Sequence, residues 1–350
     1  MTGGQPLPCI PPPSPVRRRR TVPTATTTAP VAPAVVDQRG QLPRTDLLLL
    51  AVSIAGISLS APLISATAAP ALAIAFWRNG MSVAVLGPYA LWRHRAELRG
   101  ISRRALLLAM AAGVLLALHF ALWMPSLRMT SVASATALVT TTPLWTILLM
   151  RLFGVRAPRL VWLGVGLAFA GVLVLTGVDL SVSSRALLGD GLALGAGAAA
   201  AGYVLLGAEV RRTVSTTAYT LVCYATCAVA LLAACLLTGT RLAGWPAGAW
   251  WQIFLLMVTA QLLGHSLSNR VVRTLGPSIT STAILLETPG AALIAAVWLG
   301  QWPPVAAYPA VGLILLGLVL VARGEGRRHS TQEPTVRRLS GKPSTHLKVA

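Results

Sequence analysis

Stretches of about 20 residues with almost no ionisable side chain recur from Leu47 to Val321, each long enough to cross the hydrocarbon core of a bilayer as a helix. These runs are continuously apolar rather than alternating, so they read as helices. Measured on that ruler the chain holds ten spans: 47–66, 69–92, 105–124, 131–152, 160–178, 189–210, 216–237, 249–268, 277–299 and 303–322. With 55% hydrophobic and only 11% charged residues, a water-soluble fold would need an unusually large core.

The formal charge of +20 is mostly arginine, and its placement carries the information. A basic chain of this kind suggests nucleic acid as a partner. Here, however, the arginines lie in the tails and between apolar runs, so the lipid bilayer is the expected partner and nucleic acid is not. With a cytoplasmic N-terminus, the inner loops hold Arg93, Arg95, Arg99, Arg103, Arg104, Arg151, Arg156, Arg159, Arg211, Arg212, Arg270 and Arg273. The outer loops hold only Arg128, Arg185 and Arg241. That bias places both termini in the cytoplasm and the protein in the cell membrane. Residues 1–46, with the block Arg17–Arg20, read as a disordered basic arm, and 323–350 as a disordered basic tail. The arm is not a cleavable signal peptide, because no apolar segment follows its positive block closely. The cysteines form no metal or disulfide pattern, and no cofactor is implied.

An offset of 146 residues lays His119 on His265, Thr136-Ala137 on Thr282-Ala283 and Thr142-Pro143 on Thr288-Pro289. It also lays Gly154 on Gly300, Pro158 on Pro304, Val165-Gly166-Leu167 on Val311-Gly312-Leu313, and Gly171 on Gly317. The agreement falls on His, Pro and Gly, where polarity or backbone geometry is at stake. Each half, 47–178 and 189–322, holds five spans. An odd number sends the second half through the membrane upside down, giving an all-α integral membrane protein of ten helices in two inverted five-helix repeats. Such repeats place a site between them near the midplane.

The segments PALAIAFWRNG, HFALWMPSLRMTSVASATALVTTTP, GLAFAGVLVLTG, GDGLALGAGAAAAGY, LLETPGAALIAAVWLG and GLILLGLVLVARG resemble the EamA type of the drug/metabolite transporter superfamily. The resemblance covers nearly all of residues 47–322. It implies a permease that moves a small-molecule substrate, a metabolite or drug, by alternating access, with export as the expected direction. Members often carry an acidic residue after the Gly that closes spans 4 and 9, where this chain has Val155 and Gln301. A homodimer is left open.

Of nine acidic residues only Glu287 falls deep in a span. Ten residues past Pro277 it lies roughly 15 Å in, the middle of a core of about 30 Å. An ionised group at that depth is costly and usually marks a pathway. Its structural alternative is a protonated or paired glutamate that locks two helices. Arg78, about 14 Å deep by the same rise, cannot shed its charge and needs an anion or carbonyl acceptors. Depth alone does not show that the two meet. His119 and His265 occupy matching repeat positions and suit either a proton relay or an inter-helix hydrogen bond. Asn269, aligned with Trp123, suits substrate contact or a bond to a neighbour. Pro62, Pro143 and Pro289 each remove a backbone bond within a span and are expected kinks. GHSLS at Gly264–Ser268 lacks the final Gly of a serine-hydrolase elbow, and no P-loop is present. A gradient is therefore the expected energy source. A non-transporting sensor or assembly protein, and less so an intramembrane enzyme, are the competing readings.

Overall fold

In the computed structural model, which describes residues 44–154, 157–264, 267, 271, 283 and 285–339, every regular element is helical. The first span is α1 (Arg44–Ser58) and α2 (Ser60–Ala66), interrupted at Leu59. The expected second span is α3 (Ala71–Arg93), followed by the short α4 (Arg95–Gly100). α5 (Arg103–Ser126) is the third, and the fourth divides into α6 (Val132–Val139) and α7 (Thr142–Leu152). Then come α8 (Arg159–Val182), α9 (Ser184–Val210) and α10 (Thr216–Leu237). α11 (Ala247–Leu256) passes into a π-helical stretch, Met257–Gly264, and the chain closes with α12 (Glu287–Leu299) and α13 (Ala307–Leu339).

Among the described residues, seven helices are long and apolar enough to cross a membrane. α3 is long enough, but Arg78, Asn79 and Ser82 dilute its apolar composition and it is not among the seven. Arg159–Leu175 of α8 and Glu287–Leu299, the whole of α12, are apolar but shorter, and 277–282 and 284 of the expected ninth span lie outside the described residues. α13 runs past the expected end of its span at 322 into the basic tail. Its apolar part ends at Gly324, and a helix already nucleated by packing extends at little cost. Large apolar side chains are exposed along the helices, among them Leu107, Val114, Leu163, Leu173, Val229 and Val297. Such a surface suits lipid rather than water.

The prolines correct one expectation. Pro62, Pro143 and Pro289 do not kink continuous helices; each lies in the first turn of the helix that follows an interruption, in α2, α7 and α12. The missing N–H costs nothing there, since first-turn donors have no partner within the helix. At the fourth-span break, Thr140, Thr141 and Thr142 turn their hydroxyls back onto the carbonyls of Ala137, Leu138 and Val139.

Packing follows the 146-residue offset. Where α5 lies on α9, the equivalent π-helical stretch lies on α1 and α11 on α2. Where α6 and α7 lie on α9, α12 lies on α1 and α2. α8 and α13, themselves equivalents, pack along each other. A Cβ at Gly171 would stand 2.7 Å from the Ala310 carbonyl oxygen and 2.8 Å from Ile314 N. One at Gly317 would stand 2.6 Å from both the Gly164 oxygen and Ala168 N. Subtracting 146 from 317, 310 and 314 gives 171, 164 and 168, so the two contacts are the same contact with the repeats exchanged. As α8 ascends from 164 to 171 its partner descends from 317 to 310, so the two helices are antiparallel. Apolar burial falls into two main clusters, one about α3, α5 and α10 and the other about α8 and α13.

Outside the spans, Glu97 joins two loops. It accepts hydrogen bonds from Ser215 N (2.6 Å) and Ser215 Oγ (2.8 Å), and its other contact is His94 Nδ1 at 2.9 Å. Ser215 in turn caps α10 through the Ala218 N–H. The Ser215 backbone N–H foremost, then its hydroxyl and His94, hold the Glu97 carboxyl below its ordinary range. A carboxylate favoured by folding adds stability that is complete above its unfolded value and is lost as pH falls through the folded one. The thermal midpoint of the parent is therefore expected to fall as pH drops below about 4.3. That of Glu97→Gln should be lower at neutral pH and less pH-dependent over the same range, as a detergent-phase melting series would read.

Candidate functional site

Arg78 lies in the third turn of α3, which starts cleanly after Pro70. The run Arg78, Asn79, Ser82 faces inward, and all three are buried. The guanidinium Nε donates to Gln261 Oε1 at 2.6 Å, and the group lies over the Phe120 ring at 4.7 Å. Gln261 in turn donates from Nε2 to Asn79 Oδ1 at 3.3 Å, while Asn79 is tied to the Ala75 carbonyl of its own helix at 2.8 Å. Tyr224 of α10 faces the same amide. Three helices from different parts of the chain thus fix one cation.

Gln261 stands in the π-helical stretch, where an extra residue per turn re-aims side chains. It is also the only amide in the run MVTAQLLG, and that isolation is the signal which could have found it. Asn79 carries no such mark. Tyr224 does, because the repeat offset places it opposite Arg78.

Glu287 opens α12, with Leu286 before it in helical geometry. It interacts electrostatically with Arg78, yet among the described residues no ion pair joins them. The next residue, Thr288, is fully buried, and its hydroxyl meets that of Thr140 at 3.2 Å. The broken fourth span and the start of α12 therefore touch where their repeat-equivalent sequences cross. Gly290, after Pro289, abuts Ser58 at the interruption of the first span, so closely that a Cβ would not fit. The breaks that follow from Pro62, Pro143 and Pro289 are gathered at one level.

His119 donates from Nδ1 to the Ala196 carbonyl at 3.0 Å, which ties α5 to α9. Its ring stacks on Trp123 (5.7 Å between centroids) and meets Phe120 edge-on at 5.0 Å. Such a hydrogen-bonded imidazole fits the structural alternative, although Phe120 also borders Arg78. Trp123 is buried, with its indole N–H unpartnered among the described residues. His265 and Asn269 lie outside the described residues.

The arrangement places a permanent cation and a carboxylate inside a membrane-embedded bundle, one on each repeat, on helices whose backbones are interrupted nearby. Ionisable side chains within membrane spans are costly and usually line a cavity or pair with a partner.

Comparison with known proteins bears on the same two halves. The EamA-like transporter family matches residues 46–177 and again 187–323. A solved crystal structure is similar at a TM-score of 0.54 and 17% sequence identity, over 79% of this chain and 96% of the other, a likeness of fold alone. No curated protein matches.

Proposed function

We propose, since the chain belongs to the EamA-like transporter family, that it is a secondary-active carrier exporting a small organic metabolite or drug by alternating access. Membership makes it a multi-pass membrane transporter of the drug/metabolite superfamily, a family of transporters rather than enzymes. The finer reading is ours: ten spans in two inverted repeats, 47–178 and 189–322, both termini cytoplasmic in the cell membrane, and a site about Arg78 and Glu287.

The observation that carries it is the opposition of Arg78 on the first repeat to Glu287 on the second, beside the Thr140–Thr288 crossing. A relative motion of the halves changes the surroundings of both charges at once. A carboxylate that gains and loses a proton between the two arrangements couples flux to a proton gradient.

The test is transport itself. Proteoliposomes loaded with a cell-extracted pool of small metabolites should release at least one compound faster than empty liposomes, as followed by mass spectrometry of the medium. No difference for any compound, in either direction and under either sign of pH gradient, would refute the carrier. Orientation is checked separately. Ser183→Cys and Ser330→Cys, each in a background freed of native cysteines, should react with an impermeant thiol reagent from opposite sides. Reaction from the same side would contradict the span count.

A further inference from the structure

We infer that Arg78 recognises a carboxylate on the transported molecule, with Gln261 as the residue that positions it; the inference rests on reading this region as the substrate site. A guanidinium has five N–H donors in a rigid planar fork and keeps its charge at every physiological pH. In this structure one donor, Nε, is taken by Gln261. One face of the plane is covered by the Phe120 ring. Nη1 is buried and has no hydrogen-bond partner among the described residues, on a residue only 3% exposed.

The groups around Arg78 hold it without neutralising it. Gln261, Asn79 and Tyr224 are uncharged, and Asn79 is itself anchored to the Ala75 carbonyl. Glu287 attracts the guanidinium but does not close to an ion pair. A buried charge left short of partners is costly unless a ligand completes it.

The geometry restricts that ligand. With one face covered and Nε occupied, the edge that carries the Nη groups, in the plane of the fork, is the part of the buried guanidinium left for a ligand, which reaches it when the surrounding helices part. Two oxygens in one plane match that edge, which is how a carboxylate meets arginine. A neutral amide of the same shape offers one acceptor and no charge, and an ammonium group is repelled. Gln261 acts through Arg78: by bonding Nε it fixes the rotation of the guanidinium and leaves the Nη edge for the ligand.

The experiment measures equilibrium binding of radiolabelled benzoate and acetate to the purified full chain in nanodiscs, with benzamide and benzylamine as competitors. Benzoate should bind, and benzamide should compete at least about tenfold more weakly, as a site built for a charged acceptor requires. Benzylamine should not compete. Arg78→Gln should abolish carboxylate binding, while Arg78→Lys, a point charge without the fork, should retain it in weakened form. Gln261→Leu, which strips Nε of its acceptor, should weaken benzoate binding and lower the thermal midpoint. Gln261→Glu, which keeps an acceptor but neutralises the guanidinium, should weaken benzoate binding without lowering the midpoint, and that separates recognition from folding. The inference is overturned if neither carboxylate binds the parent better than Arg78→Gln, or if benzamide equals benzoate. It is overturned as well if Glu287→Gln restores function to Arg78→Gln, for then the arginine only balances a buried charge. Metabolite flux in liposomes with no preference for carboxylates removes this inference and leaves the carrier standing; absence of all flux removes the carrier.

Discussion

Replacing Glu287 by Gln is expected to abolish gradient-driven accumulation while leaving expression and folding near those of the parent. The amide keeps the shape of the side chain and removes its ionisation, so only the proton is lost. A one-unit pH gradient coupled to one proton sustains about a tenfold solute gradient, since 1.4 kcal/mol corresponds to tenfold, and that factor should vanish. Exchange of solute across the membrane at equal pH should survive in Glu287→Gln, because the halves can still rock. Glu287→Ala should lose exchange too if the side chain also touches the solute. A Glu287→Gln protein that accumulates solute like the parent, beside a Glu287→Leu protein altered only in thermal midpoint, would make the carboxylate a structural lock. The site would then be sought towards His119 and Asn269.

The second large effect is on assembly. At Gly317 an added Cβ meets backbone on α8, the Gly164 oxygen and Ala168 N, neither of which can turn aside as a flexible side chain would. Gly317→Val and its repeat equivalent Gly171→Val should each destabilise the protein by about 1–3 kcal/mol or more, the range of overpacking. Gly312, on the same helix as Gly317, has nothing within 4 Å of its would-be Cβ, so Gly312→Ala should keep stability or raise it by up to about 1 kcal/mol. Monomer recovery and thermal midpoint in detergent read the difference. Equal behaviour of Gly317→Val and Gly312→Ala would deny the close antiparallel contact of α8 and α13.

The 146-residue offset marks Gly171 and Gly317 as equivalents, which does not say that α8 and α13 touch; small residues only permit helices to approach closely in a membrane. Seven of the ten expected spans coincide with described helices long and apolar enough to cross a membrane, because an apolar run of that length has few other uses. Arg78 and Glu287 could be singled out by depth alone. Depth did not reveal what surrounds them. Gln261 reaches both Arg78 and Asn79 through side-chain bonds between helices that are not repeat equivalents, and such bonds leave no periodicity behind. The prolines announced interruptions but not their form. Whether a proline kinks a helix or starts one depends on whether the preceding turn remains helical, and here it breaks at Leu59, at Thr140–Thr141 and before Glu287. Three threonine hydroxyls stabilise the second of these breaks, a local competition that composition does not display.

Alternating access is tested most directly at Thr288, which is buried at the crossing of the two repeats beside Thr140. Thr288→Cys, in full-length protein whose native cysteines are replaced, would be reconstituted in one orientation and exposed to an impermeant methanethiosulfonate from either side in turn. A carrier whose halves open alternately leaves that thiol reachable from both sides, with the balance shifted by an imposed gradient. Reaction from one side only, or from neither while Ser183→Cys reacts normally, would contradict it.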